Sequence, residues 1–503
     1  MISATEFARA SRDVRHALES AGAVDRLWAR DHTLWQPEAD ECANRLGWID
    51  EPQRAETDAH NLIETRDQLA ARGIRRVIWS GMGGSSLFPE LLARSPLERE
   101  VPFDLRVLDT VHPAALRRAL EAVEPTSTML VFASKSGGTI ETRTHLDVLT
   151  TAHPEAPVAV VTDPGSALER MARDRGWRCW TANPDIGGRF SALSRFGTVA
   201  TALLGIDPTL LARPAARLAA GARTSADNPA FDLAVFLATA HRTGRDKLTL
   251  VGPAALPGFG SWVEQLVAES TGKHGVGILP VVDEVFGDTA DGGDDRCVVG
   301  YGDTAAVEAL RAAGHPVFEL GSVPADELGA ETMRWMLATA WLGAALRINP
   351  FDQPDVESAK RAALAVLDGT APKAPPRGDP VAALASLRDG DHVVIQAFVD
   401  PDSPLVSDLA RLRSRLRARY RCAVTVGIGP RYLHSTGQLH KGGPNTGVFL
   451  QIVDAGDDDL EVPGRGFTLA TLLRAQADGD YDALVAAGRR VVRTNAETVL
   501  ALA

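Results

Sequence analysis

Short apolar runs alternating with longer stretches of helical spacing constrain this chain more than any other feature. RVIWSG (76–81), LRVLD (105–109), TMLVFAS (128–134) and VAVVTD (158–163) are dominated by apolar, often β-branched residues and lack a clean period of two. A strand solvated on one face alternates polar and apolar residues, whereas one without alternation is covered on both faces, as in a parallel sheet between helices. The intervening HPAALRRALEAV (112–123) has helical spacing. Together these segments predict βαβ units.

The pattern restarts near residue 225. FDLAVFLATAHRTG leads into KLTLVG (247–252), then RCVVGY (296–301), PVFEL (316–320) and a long helical run, ELGAETMRWMLATAWLGAALR. APKAPPRGDP (371–380) is the clearest linker by proline content. After it, HVVIQAFV, a charged helix near SDLARLRSRLRARY, CAVTVGIG and GVFLQIV predict a third set of strands and helices.

A chain of 503 residues can bury several cores, and 45% apolar with 23% charged residues is ordinary globular composition. A net charge of −12 argues against a general nucleic-acid binder but leaves room for an anionic small molecule met by a local cluster of donors. Cys42, Cys179, Cys297 and Cys422 form no CxxC pair, which argues against a zinc knuckle or a disulfide framework. The N-terminal MISATEFARASRDVRHALE lacks the apolar core of a signal peptide, and nowhere do about 18 apolar residues run together. The expected location is the cytoplasm.

Two strand-to-helix loops carry the chemistry. LVFASKSGGTIETRTHL (130–146) sets Ser134, Lys135, Ser136 and Thr139 around two glycines at a helix start, where unpaired amides and the helix dipole favour an anion. Taken alone, it reads equally well as a Ser/Thr-rich N-cap on a tight turn. No GxxxxGK[ST] pattern is present in it, which disfavours a nucleoside triphosphatase. WSGMGGSSLFPE holds Gly81, Gly83 and Gly84, a partial dinucleotide fingerprint with Ser86 where the third glycine is required, and Asp109 near the position of the acidic ribose ligand. Ligands gather at the carboxyl ends of parallel strands, so two such loops in one sheet point to one site.

GMGGSS, SKSGGT, GGRFSALS (187–194), ESTGKHG (269–275) and NPFDQPDVESAK (349–360), in this order over roughly residues 45 to 368, resemble the signature blocks of the glucose-6-phosphate isomerase family. The resemblance implies two sugar-isomerase (SIS-type) αβα sandwich domains with parallel sheets, here with a C-terminal α/β extension. The segments expected are 1–44 (helical), 45–224 and 225–370 (the two sugar-isomerase-type domains) and 371–503 (the extension). The activity implied is reversible isomerisation of glucose 6-phosphate and fructose 6-phosphate through ring opening and an enediolate, without metal or other cofactor.

The resemblance also assigns residues. Ser134, Lys135, Ser136 and Thr139, assisted by Ser85, would hold the phosphate. Glu269 matches the base that moves a proton between C2 and C1, and Arg189 the arginine that stabilises the enediolate. Gln265, four residues before Glu269, would share its helical face, and Gln353 and Lys360 fall on positions near the substrate, the lysine being implicated in ring opening. Alone, Glu269 reads as a solvated helix-end glutamate, Arg189 as a surface ion pair and Lys360 as a surface lysine.

One block is displaced. The family's ring-opening histidine is expected between the ESTGK-like and FDQ-like blocks, where His315 in AAGHPVF is the lone histidine and reads as the entrance to a strand. HSTGQ, in RYLHSTGQLHKGGPNTG, resembles the histidine stretch of bacterial isomerases and puts His434 in that role, with His440 and His274 as rivals. The whole arrangement resembles the isomerase portion of transaldolase and phosphoglucose isomerase fusion proteins, without the transaldolase. The family is usually dimeric, so a homodimer and an association with a separate transaldolase are further expectations. Two other readings stay open: an isomerase acting on both glucose and mannose phosphates, and a non-catalytic sugar-phosphate-binding regulator, which would not need Glu269, Arg189 and Lys360 together.

Overall fold

The computed structural model describes residues 3–100, 102–284, 292–302, 304–355, 367 and 375–502. Among them are three parallel sheets. The first holds β1 (Arg76–Ser80), β2 (Asp104–Leu108), β3 (Thr128–Ala133), β4 (Val158–Thr162) and β5 (Arg178–Thr181) in the order β2-β1-β3-β4-β5. The second holds β6 (Lys247–Val251), β7 (Leu279–Val281), β8 (Arg296–Tyr301) and β9 (Val317–Leu320) in the order β7-β6-β8-β9. The third, from β10 (His392–Phe398), β11 (Val424–Ile428), β12 (Gly447–Val453) and β13 (Arg490–Thr494), runs β11-β10-β12-β13. The mixed α/β class with parallel sheets is therefore as the apolar runs predict.

Each sheet repeats one plan: its first strand lies inside, the second pairs on one side of it and the third on the other. The strand order reverses at that first strand, and the connections leaving the two strands on either side of the reversal open a crevice. In the first sheet the reversal lies between β1 and β3, whose register pairs Arg76 with Thr128 and Ser80 with Phe132. The loops after those strands are the two glycine loops. Every residue of β3 is buried, and Leu130 and Phe132 alone remove enough apolar surface to contribute about 1.5–3 kcal/mol each.

The units share cores. The helix Thr209–Gly221 packs on the helix Leu328–Leu346, and the helix Ala4–Ser20 packs on Pro229–Arg242, so N-terminal residues stabilise the second unit. Asn228 starts that last helix by accepting from the Phe231 amide at 3.0 Å, with Pro229 pre-set for its first turn. The HSTGQ segment leads from the turn Arg431–His434 into the short helix Gly437–Gly442, which packs on Phe259–Thr271 of the second unit. No helix among the described residues is long and apolar enough to cross a membrane. The four cysteines are free.

Candidate active site

A cavity of about 530 Å³ opens at the carboxyl ends of β1 and β3 and is walled by all three units. Its floor is formed by two loops in close approach. A Cβ on Gly84 would stand 1.9 Å from the Gly188 carbonyl oxygen, so the GMGGSS and GGRF loops meet only because position 84 has no side chain. Gly83 takes φ +54 and lies under Gln265 and the His434 backbone, again with no room for a Cβ.

Ser134, Lys135, Ser136 and Thr139 line one end with Ser85. The loop is held from below: Thr162 Oγ1 donates to the Ser134 carbonyl at 2.7 Å, and the Asp163 amide donates to the Lys135 carbonyl at 3.1 Å. Thr139 occupies the N-cap of the helix Ile140–Ala152, yet no side chain caps that helix; the Thr139 hydroxyl lies 3.1 Å from that of Ser134. Simple capping therefore does not account for this hydroxyl cluster. Lys135 is partly engaged, its ammonium bonded to Asp163 and 3.3 Å from the Pro184 carbonyl. Burial lowers its pKa while Asp163 opposes the shift.

The other end gathers charged groups from distant segments. The helix Phe259–Thr271 carries Gln265 and Glu269 one turn apart, and Gln265 Nε2 donates to Glu269 Oε2 at 3.1 Å and to the His434 carbonyl at 2.9 Å. Arg189 Nη1 stands 3.5 Å from Glu269 Oε1. The guanidinium is aimed by three further donations: to Ser270 Oγ at 2.8 Å, and to the Pro350 and Asp352 carbonyls at 2.6 and 2.8 Å. Gln353 Oε1 accepts weakly at 3.4 Å. Burial pulls the Arg189 pKa down, and Glu269 opposes it. The NPFDQ block thus acts in part through backbone carbonyls, which also hold Lys273, a fully buried lysine brought down to about 8 by burial and by the Arg189 charge.

His434 reaches this end from the third unit. Its Nε2 lies 2.8 Å from Glu141 Oε1. Burial alone would raise the Glu141 carboxyl, but the His434 ring and the Gln476 amide hold it at about 2. An ionised carboxylate only accepts, so Nε2 carries the proton and Nδ1 is the nitrogen available to a ligand. The histidine segment is clamped by Gln438, which donates to the Gly272 carbonyl at 2.9 Å and to Asp355 Oδ2 at 2.6 Å.

Ten of the eleven residues singled out from the sequence thus line one cavity; Lys360 lies outside the described residues, as does most of the helix expected from Pro354 and the first part of the proline-rich linker. The rival histidines stand elsewhere. His440 is buried between Tyr432 and Phe449, at 5.8 and 5.2 Å between ring centroids, and burial keeps its pKa well below the ordinary histidine value. His274 is exposed and off the cavity wall. Asp109 is 3.2 Å from Arg431 Nη1, an ion pair that counts against its serving as a ribose ligand. Glu141 and Gln476 line the cavity without having been anticipated; no spacing marks Gln476, and only its place just after SKSGGT could have flagged Glu141. Among the described residues no group of three or more His, Cys, Asp or Glu could hold a metal ion.

The family model described as phosphoglucose isomerase matches residues 64–211. A glucose-6-phosphate isomerase of Rubrobacter xylanophilus is 30% identical over 362 residues, covering 59% of this chain and 84% of that protein. Among solved structures, a hypothetical protein of Thermus thermophilus superposes with a TM-score of 0.60 at 26% identity, over 71% of this chain and 96% of its own. A glucose-6-phosphate isomerase from Chlamydia trachomatis gives a TM-score of 0.59 at 17% identity, over 71% of this chain and 86% of its own, a likeness of fold alone.

Proposed function

The chain belongs to the glucose-6-phosphate isomerase family, it interconverts glucose 6-phosphate and fructose 6-phosphate, and from that premise we propose how this cavity performs the reaction. The phosphate dianion sits at the N-terminus of the helix Ile140–Ala152, met by the Ser134, Ser136 and Thr139 hydroxyls, by Ser85 and by the first-turn amides, with the Lys135 charge nearby. The sugar then extends toward Glu269.

His434 opens the ring. Its Nδ1 takes the proton of the C1 hydroxyl of glucose 6-phosphate, or that of the C2 hydroxyl of fructose 6-phosphate, and hands the same proton to the ring oxygen as that oxygen's bond to the anomeric carbon breaks and the carbonyl forms. Glu269 then removes the C2 proton of the open aldose, leaving an enediolate whose negative oxygen faces the Arg189 guanidinium. It returns the proton to C1 as a second proton passes between the oxygens, and the ketose results. Lys360 is assigned to ring opening on the resemblance alone.

The observation that carries this reading is the buried Glu269 carboxylate 3.5 Å from a guanidinium whose direction is set by three other bonds. A base beside a pre-aimed cation is what proton transfer through an enediolate needs, and a binding protein gains nothing from burying both. The test is conversion of fructose 6-phosphate by the purified chain without added metal or nucleotide, beside Glu269→Gln and His434→Ala. Binding without turnover by the wild-type chain would overturn it. A cytoplasmic location, a homodimer and association with a separate transaldolase are proposals that rest on the family resemblance; sedimentation of the chain alone and with a transaldolase tests the last two.

A further inference from the structure

Gln476 lies on the helix Leu469–Ala486 of the third unit, is 5% exposed and lines the cavity. Its Nε2 donates at 2.6 Å to Glu141 Oε1, the same oxygen that His434 Nε2 approaches at 2.8 Å. Because Glu141 is an acceptor only, the amide cannot be turned round: nitrogen faces Glu141 and Oε1 faces away. That Oε1 is buried and has no hydrogen-bond partner among the described residues. A buried acceptor left unpaired is costly unless a ligand supplies the donor.

The helix is tied to the histidine segment itself. One turn beyond Gln476, Asp480 accepts from Tyr432 Oη at 2.6 Å and stands 2.5 Å from Lys441 Nζ, bracketing His434 on both sides in sequence. Gln451 of β12 donates to the Ala477 carbonyl at 3.0 Å and fixes the helix against its sheet. Glu141 is therefore held from the first unit by its own helix and from the third unit by Gln476, and the ring of His434 is aimed between them.

We propose that Gln476 is a positioning residue for ring opening, fixing the tautomer and aim of His434 through Glu141, and that its free Oε1 accepts from a hydroxyl of the closed sugar. The inference rests on His434 opening the ring. It is tested with Gln476→Leu, which has neither donor nor acceptor, on two substrates: fructose 6-phosphate, and an aldose phosphate lacking the hydroxyl that closes its ring.

Loss of aim lowers kcat on fructose 6-phosphate about 10- to 100-fold and raises KM a few-fold, with open-chain turnover within about two-fold of wild type. Equal loss on both substrates, or loss on neither, overturns the proposal. Should Gln476→Leu fail to fold, Gln476→Met keeps the length of the side chain, removes the donor and is judged by the same split. If the wild-type chain turns over neither substrate, the isomerase reading has failed, and the ring-nitrogen NMR shifts of His434 still decide the positioning role. A single tautomer protonated at Nε2 in wild type, mixed in Gln476→Leu, supports it, and an unchanged ring overturns it.

Discussion

The two ends of the cavity are built in opposite ways. The hydroxyl end comes mainly from one stretch, Ser134 to Thr139, folded by a single strand-to-helix turn. The charged end brings together Glu141, Arg189, Glu269 and His434 from segments that meet only when three sheets have packed. A local site should lose affinity in small steps when its parts are removed, whereas an assembled one should fail as a unit, because each charge is aimed by groups from another segment.

The sharpest break in that comparison is Glu269→Gln. The amide keeps the shape and the hydrogen bond to Gln265 but cannot take a proton. Turnover should fall about 10²- to 10⁴-fold while sugar-phosphate affinity, measured by calorimetry, stays within a few-fold. A parallel loss of affinity would place Glu269 in binding and not in proton transfer.

Gly84→Ala attacks the contact on which both ends stand. With a Cβ 1.9 Å from the Gly188 oxygen, the two loops must separate, displacing Ser85 and Arg189 together. The expected cost is about 3 kcal/mol in urea unfolding, with activity reduced in whatever protein remains folded. Wild-type stability and rate would mean the loops do not need that approach.

Acid separates the ends more gently. Glu141 is held at about 2 against an ordinary 4.5, so its bonds favour the folded state fully above pH 4.5 and are lost as the pH falls toward 2. For a carboxyl this buried the contribution is about 2–3 kcal/mol. Other carboxylates titrate in the same window, so the measurement is a difference: stability of wild type minus Glu141→Gln, at pH 7 and at pH 3. The gap should narrow on acidification, and a constant gap would mean that Glu141 is not ionised by its partners.

The same contrast explains what could be read from the sequence. Strands β1, β3, β4, β6, β8, β10 and β12 announced themselves because burial on both faces leaves an apolar run. The missed strands RCWT (β5), LPV (β7) and RVVRT (β13) each end a sheet, as do β2, β9 and β11, which LRVLD, PVFEL and CAVTVGIG did predict. Strands β5 and β13 are half-exposed and keep charged residues, while β7 is three residues long, so neither period nor run marks them. The hydroxyl loop was legible because its parts are adjacent. Arg189, Glu269 and His434 were legible only through the family blocks, since nothing local distinguishes a buried glutamate from a solvated one. Gln476 had no block to mark it, being made functional by a contact across 335 residues of chain.

Ser136→Ala should have the smallest effect, and it tests the local half of the comparison. Ser136 is exposed, and its Oγ now accepts from the Gly138 amide at 3.2 Å, a bond that shapes the loop without burying anything. A hydroxyl donating to a phosphate in that half-solvated position is worth about 1 kcal/mol, less than a buried charged bond because water competes for both partners. KM for fructose 6-phosphate should rise about five-fold with kcat unchanged, since phosphate binding is used equally in the ground and transition states. Thr139→Ala, with its hydroxyl packed against Ser134, should cost somewhat more, and the two changes together should add. Should the pair instead abolish turnover, the hydroxyl end would be as cooperative as the charged one, and adjacency in sequence would no longer predict independence in energy.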